Sequence, residues 1–236
     1  MRVLIRLIRL PLAVVLTLAV LTGAVACSGG GEDVDPGAVL EQASAAMKEI
    51  AGFHFVYEVH KPASAKPATG LEIARITGDV NSEGNMQATI DVTQGGVPLQ
   101  LGFVAVGDTH YIQAPPSQKW QSIPAAKSPV GSLSLSAGTI GILDRITDTA
   151  YEGTEGKGGA DTYHISGMVA AEEVEAIAGA VDTTNSFPTD IWVGVGDSLV
   201  YEVDIEGAAT PDEDPGIWRS IVLSNLNTSV DIQPPQ

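Results

Sequence analysis

The chain has 236 residues, one cysteine, 5% aromatic residues and a formal charge of −17. So acidic a chain is a poor match for nucleic acid or for an anionic bilayer gripped through surface charge, and one cysteine cannot form an internal disulfide. The length suffices for one good-sized domain with a real core, and alternating apolar patterns over most of the sequence argue against disorder.

In chain order, Arg2, Arg6 and Arg9 form a positive n-region, Leu10 to Val25 an apolar run, and Ala24-Val25-Ala26-Cys27 the end of a bacterial lipoprotein signal. Such a signal needs a small residue before a thiol that takes a diacylglyceryl group, and Ala26 and Cys27 supply both. The run of about 16 residues is short for a spanning helix of ~20, and Ser28-Gly29-Gly30-Gly31 follows it as a tether rather than a stop-transfer segment. Residues 1–26 are therefore expected to leave as a signal peptide. Cys27 is then lipidated and holds the protein on the extracytoplasmic face of the cell membrane; plain secretion is the alternative. Losing three arginines takes the formal charge from −17 to −20, so membrane residence must come from lipid, and stable anchoring takes more than one acyl chain. As a flexible coil, Ser28 to Asp35 reaches about 15 Å at roughly 5–6 Å × √n. It would keep a single domain, 36–236, close to its membrane.

Asp35 reads as an N-cap with Pro36 at the first helical position. Val39, Leu40, Ala43, Met47 and Ile50 follow at helical spacing, and Gly52 ends the helix. The period then falls to 2. Phe53, Phe55, Tyr57 and Val59 form one face of a strand, as do Met86, Ala88, Ile90 and Val92, and Leu99, Leu101, Phe103 and Ala105. Turn-rich stretches at Lys61 to Thr69, Asn81 to Asn85 and Gln94-Gly95-Gly96 separate them, which predicts an antiparallel meander. Thr109 to Gln113 adds a strand that Ala114-Pro115-Pro116 ends. Trp120 to Gly138 reads as a loop and Thr139 to Ile146 as a short apolar helix. Strands follow near Ala150 to Thr154 and Asp161 to Ser166, then a helix over Ala170 to Val181 with acidic residues at its start. Thr189 to Val195, Leu199 to Glu206 and Ile217 to Leu226 close the chain as strands. The acidic, proline-bearing loop Ala208 to Gly216 is expected to be mobile.

Motifs for chemistry are missing. There is no Gly-x-Ser-x-Gly elbow, no His-Glu-x-x-His, no phosphate loop and no EF-hand. Gly156-Lys157-Gly158-Gly159 is a turn. His54 and His60 both point outward on one strand, about 20 Å apart at ~3.3 Å per residue, too far to share a metal. His110 and His164 are isolated and read as surface or satisfied histidines. Nothing argues for an enzyme, and no cofactor or metal is expected. A sheet with one apolar face must cover it with three helix candidates, the first and third rich in alanine. Such a core either closes or leaves an apolar hollow; composition alone favours closure.

The order of the pieces resembles the LppX/LprA/LprF/LprG lipoproteins of actinobacterial envelopes. The resemblance runs through the lipobox, tether, first helix and meander to Lys119-Trp120 and its Pro/Ser-rich loop. It continues in Gly141-Ile142-Leu143, in Tyr163-His164-Ile165-Ser166-Gly167-Met168-Val169 before a helix, and in Pro188-Thr189-Asp190-Ile191-Trp192-Val193, over about 36 to 233. The resemblance implies an α+β fold: a strongly bent antiparallel half-barrel with helices on the concave face enclosing an apolar cavity. It implies as ligand a multi-acylated glycolipid, phospholipid or triacylglycerol, carried or presented for transfer across the envelope, with a membrane exporter as a working partner. The inward faces then nominate Phe55, Tyr57, Val59, Met86, Ile90, Leu99, Leu101, Phe103, Ile142 and Leu143 as cavity lining. The Trp120 to Gly138 loop and the helix after it become a candidate cover. The alternative function is a scaffold or adhesion lipoprotein with a filled core, acting through protein partners. Ala24 in the lipobox and the loops Lys61 to Thr69 and Ala208 to Gly216 depart from the family pattern.

Overall fold

The computed structural model describes residues 34–65, 71–117, 119–128, 135–178, 181 and 184–236. The expected signal peptide, Cys27 and most of the tether lie outside the described residues, as do 66–70 and 129–134 of two expected loops. Helix α1 (Pro36–Lys48) begins as its sequence predicts, with the Asp35 carboxylate accepting from Gly37 N at 3.0 Å. It ends at Glu49, one turn before Gly52, which instead opens strand β1 (Gly52–His60).

The first meander continues through β2 (Leu71–Asn81), β3 (Met86–Gln94), β4 (Val97–Val106), β5 (Thr109–Gln113) and β6 (Trp120–Pro124). A 3₁₀ turn (Ala125–Lys127) and helix α2 (Leu135–Arg145) lead to β7 (Thr147–Lys157), β8 (Ala160–Ala170), helix α3 (Ala171–Ala178), β9 (Ser186–Gly194), β10 (Val200–Glu206) and β11 (Trp218–Ser224). The expected loop over Trp120 to Gly138 is thus corrected at both ends. Trp120–Pro124 pairs with β5 as a strand, and α2 starts a turn before Thr139. A polar segment closed by proline reads as loop, yet proline is tolerated on an edge strand such as β6. The Trp120 indole also explains Gly102 across the sheet: a Cβ there would stand 2.9 Å from the ring.

The eleven strands of the described residues form one antiparallel sheet in the order β6-β5-β4-β3-β2-β1-β11-β10-β9-β8-β7. The first and last strands of the chain meet in its middle, joining two meanders, and β6 and β7 are left as unpaired edges. The register of β7 on β8 slips twice, with Asp148 and Gly153 at positive φ. Bulges of this kind bend a strand away from regular pairing.

A single core cluster takes residues from β4 at one side, through the middle strands, to β8 at the other, and from all three helices. Flat, those eight strands would span ~34 Å at about 4.8 Å per step, too wide for three short helices to cover. The sheet is therefore curved and open, a half-barrel whose concave face carries α1, α2 and α3. Among the described residues no helix is long and apolar enough to cross a membrane.

Candidate functional site: the apolar concave face

Strand register builds this face as lateral rows. The central row runs Leu101–Ile90–Ile76–Tyr57–Ile221–Val203–Ile191–Ile165, one residue from each of eight consecutive strands. Every member is buried. The next row carries Leu223, Phe55, Gly78, Ala88, Phe103 and Ile112. Gly78 is required there, because a Cβ would stand 2.2 Å from Gln87 O. From the helices, Leu40, Ala43 and Met47 of α1, Ile142 and Leu143 of α2, and Val174 and Ile177 of α3 descend onto these rows.

All ten nominated lining residues belong to this face or to the helices over it. Phe55, Tyr57, Met86, Ile90, Leu101, Phe103, Ile142 and Leu143 are buried; Val59 and Leu99 are partly buried and pack against the cluster. Phe55, Phe103 and Ile142 are 0% exposed and Ile90 1%, and they share one core cluster with residues of all three helices. Among the described residues the helices approach the sheet over the second meander, α1 against β7 and β9 and α2 and α3 against β8.

One hydrogen bond and two ion pairs join the helices into one cover. The Ser44 hydroxyl of α1 donates to Asp144 of α2, Lys48 Nζ lies 3.1 Å from the same carboxylate, and Arg145 pairs with Glu173 of α3. The Ser44 hydroxyl above all, with help from Lys48, holds the Asp144 carboxyl below its ordinary range against the opposing effect of burial. Glu173 is buried over Gly141, where a Cβ would come within 2.6 Å of its oxygen. Glycine at 141 is what lets α3 lay a carboxylate on α2.

Polar groups also reach the concave face. Arg219 of β11 shares a row with Val59, Ile205 and Thr189 and is 2% exposed. It donates to Glu213 through Nη2 at 2.7 Å to both oxygens, and to Gly207 O through Nη1 at 2.8 Å. Burial pushes the neighbouring Tyr57 hydroxyl up in pKa, with Arg219 opposing, and burial pulls Lys61 down. This pairing corrects the expectation for Ala208 to Gly216. The loop is tied down by Arg219 and by Ala209 N donating to Glu213 at 2.6 Å, and it buries Ala209 and Ile217. His110 is the second correction. It faces inward on β5 against Phe103 at 4.9 Å, with Nδ1 buried and unpartnered, and burial lowers its pKa. The other three histidines are outward and partnered: His54 by Asp79, His60 by Ser220 and the stacked Trp218, His164 by Asp190 and the stacked Trp192. Among the described residues no cluster of histidine, cysteine and acidic side chains could hold a metal.

The sequence matches the profile of the LppX_LprAFG lipoprotein family across residues 35–232. The lipoarabinomannan carrier protein LprG of Mycobacterium leprae (strain TN) is 27% identical over 236 residues, covering 95% of this chain and 94% of that one. The protein of the same name from Mycobacterium tuberculosis (strain ATCC 25618 / H37Rv) is 27% identical over 210 residues, covering 87% and 84%. Among solved structures, LprF from Mycobacterium bovis superposes with a TM-score of 0.64 at 17% identity, over 85% of this chain and 96% of that one. Lipoprotein LppX from M. tuberculosis gives 0.55 at 19%, over 84% and 98%. With the profile spanning the whole described domain and the half-barrel shared with both structures, this chain belongs to the LppX/LprA/LprF/LprG lipoprotein family.

Proposed function

We propose that this protein is a lipid carrier of the envelope, anchored through Cys27, which takes a multi-acylated glycolipid, phospholipid or triacylglycerol between its helices and the concave face of its sheet. The observation that carries the reading is the central row: eight buried apolar residues, one per strand, with no charge among them. The name of the LprG relatives, lipoarabinomannan carrier protein, supports the same class of cargo. Burying ~15 methylenes of an acyl chain gains about 12 kcal/mol relative to water, at ~0.8 per methylene. A bilayer offers nearly the same, so a carrier need only match it for loading and release both to proceed. The ten nominated residues are the proposed lining, and because several are fully buried, what covers them must shift to admit a chain.

That burial also favours a second reading, a scaffold lipoprotein with a filled core that acts through protein partners. Native mass spectrometry and organic extraction of the purified lipidated chain separate the two. The carrier reading expects stoichiometric lipid beyond the chains attached to Cys27; lipid-free protein that stays lipid-free after incubation with vesicles overturns it. For the anchor, Cys27→Ala should move the protein out of the membrane fraction, and retention after a high-salt wash would show a second membrane signal.

A further inference from the structure

The apolar concave face does not stop at the rim of the sheet. From the central row Ile76–Ile90–Leu101, the next row is Ile73–Val92–Leu99 and the last is Leu71–Gln94–Val97, at the β3–β4 turn. Exposure rises along β4 from 8% at Leu101 to 57% at Val97, and Leu71 beside it is 40% exposed. Val92 to Gly107 contains no charged residue, in a chain whose formal charge is −17. The turn itself is Gly95-Gly96 followed by Pro98, with few polar side chains that could specify a protein partner. The β3–β4 side of this lip is uncharged, and on its β2 side Glu72 beside Leu71 is paired with Lys61. Such a lip, continuous with the buried face, suits a lipid surface, where an unpaired charge would be costly to dehydrate.

We propose that the lip made by Leu71 and Val97 docks on the bilayer and is where acyl chains pass between membrane and concave face. The inference rests on the carrier reading and adds the route: chains that slide over a seated lip never cross open water. The tethered domain is close enough to its own membrane for this contact, since residues 28–35 reach only about 15 Å.

The test uses the full lipidated chain reconstituted in phosphatidylcholine donor vesicles, with transfer of a pyrene-labelled phospholipid to acceptor vesicles as readout. Val97→Asp should lower the transfer rate roughly tenfold, since a charge resists entry into the interface, while lipid bound at equilibrium is unchanged. Val195→Asp, at an exposed apolar position in the turn at the opposite end of the sheet, should transfer at the wild-type rate. A fluorophore on Val97→Cys should be quenched by doxyl-labelled lipids and shielded from iodide. Wild-type transfer by Val97→Asp, or free iodide access at position 97, would overturn the docking surface with the carrier reading intact. A self-associated chain that Val97→Asp dissociates would assign the lip to a second copy and overturn it too. Absence of both bound lipid and transfer in the wild type would instead remove the carrier reading beneath it.

Discussion

Asp144 and Arg145, neighbours in the last turn of α2, reach in opposite directions: Asp144 takes Ser44 and Lys48 of α1, and Arg145 takes Glu173 of α3. The described ionic ties of α2 to its neighbouring helices thus sit at its C-terminal end, where it joins β7. If the helices part to admit lipid, the Ser44–Asp144 contact must stretch or break. A disulfide between Ser44→Cys and Asp144→Cys should therefore slow lipid loading about tenfold when oxidised and restore it on reduction. Equal rates in both states, followed by fluorescent-lipid uptake, would place the opening away from the α1–α2 seam.

Ile90 stands second in the central row, between Leu101 and Ile76, and is 1% exposed. Ile90→Trp should abolish co-purified lipid and, by overpacking, cost ~1–3 kcal/mol of the delipidated domain's stability. Lipid extraction and urea unfolding measure both. Wild-type lipid content in the variant would remove Ile90 from the lining.

Breaking the Arg219–Glu213 pair leaves a buried guanidinium without its counter-charge. Glu213→Ala should cost about 3 kcal/mol, the low end for splitting a buried pair because Glu213 is partly exposed. Replacing both residues should cost less than the sum of the single changes. A urea-denaturation cycle tests this, and strict additivity would show that the two do not act as a pair.

Asp204 sits on the outer face of β10 opposite Asp190, with Oδ1 buried and unpartnered. Burial and then the nearby Glu202 carboxylate push its pKa up to about 7. An acid whose folded pKa exceeds its unfolded value binds more protons when folded, so stability falls as pH rises between about 4 and 7. Asp204→Asn should change little at pH 4 and stabilise by ~1–2 kcal/mol at pH 8, a figure discounted for solvent screening of a half-buried group. Thermal melts across that range give the answer; a gap that does not widen with pH would show the carboxyl ionises normally.

Much of the concave face was legible because period-2 alternation in β1, β3 and β4 states which side chains share a side. Five of the eight residues of the central row were not. The alternation of β2 is broken by a register shift between Ile73 and Arg75, which hides Ile76. Ile165 stands between His164 and Ser166, in a strand whose facing is set by its neighbours rather than by its own pattern. Arg219 was findable: it is in phase with Ile217, Ile221 and Leu223, and a charge in phase with a buried face must have a partner. His110 was findable in the same way, from its phase with Ile112. The seating of helices on sheet was beyond the sequence, since it depends on how far a sheet bends.

The two unpaired strands at the sides of the sheet are unlike: β6 has five residues and ends in proline, β7 has eleven and is bulged twice. They offer each other no matching ladder of donors and acceptors, so backbone pairing cannot zip the sheet into a closed tube. Its girth is not fixed by a hydrogen-bonded circumference. If the protein carries lipid as proposed, sheet flexure under the three helices rather than strand rupture would accommodate cargoes with different numbers of tails.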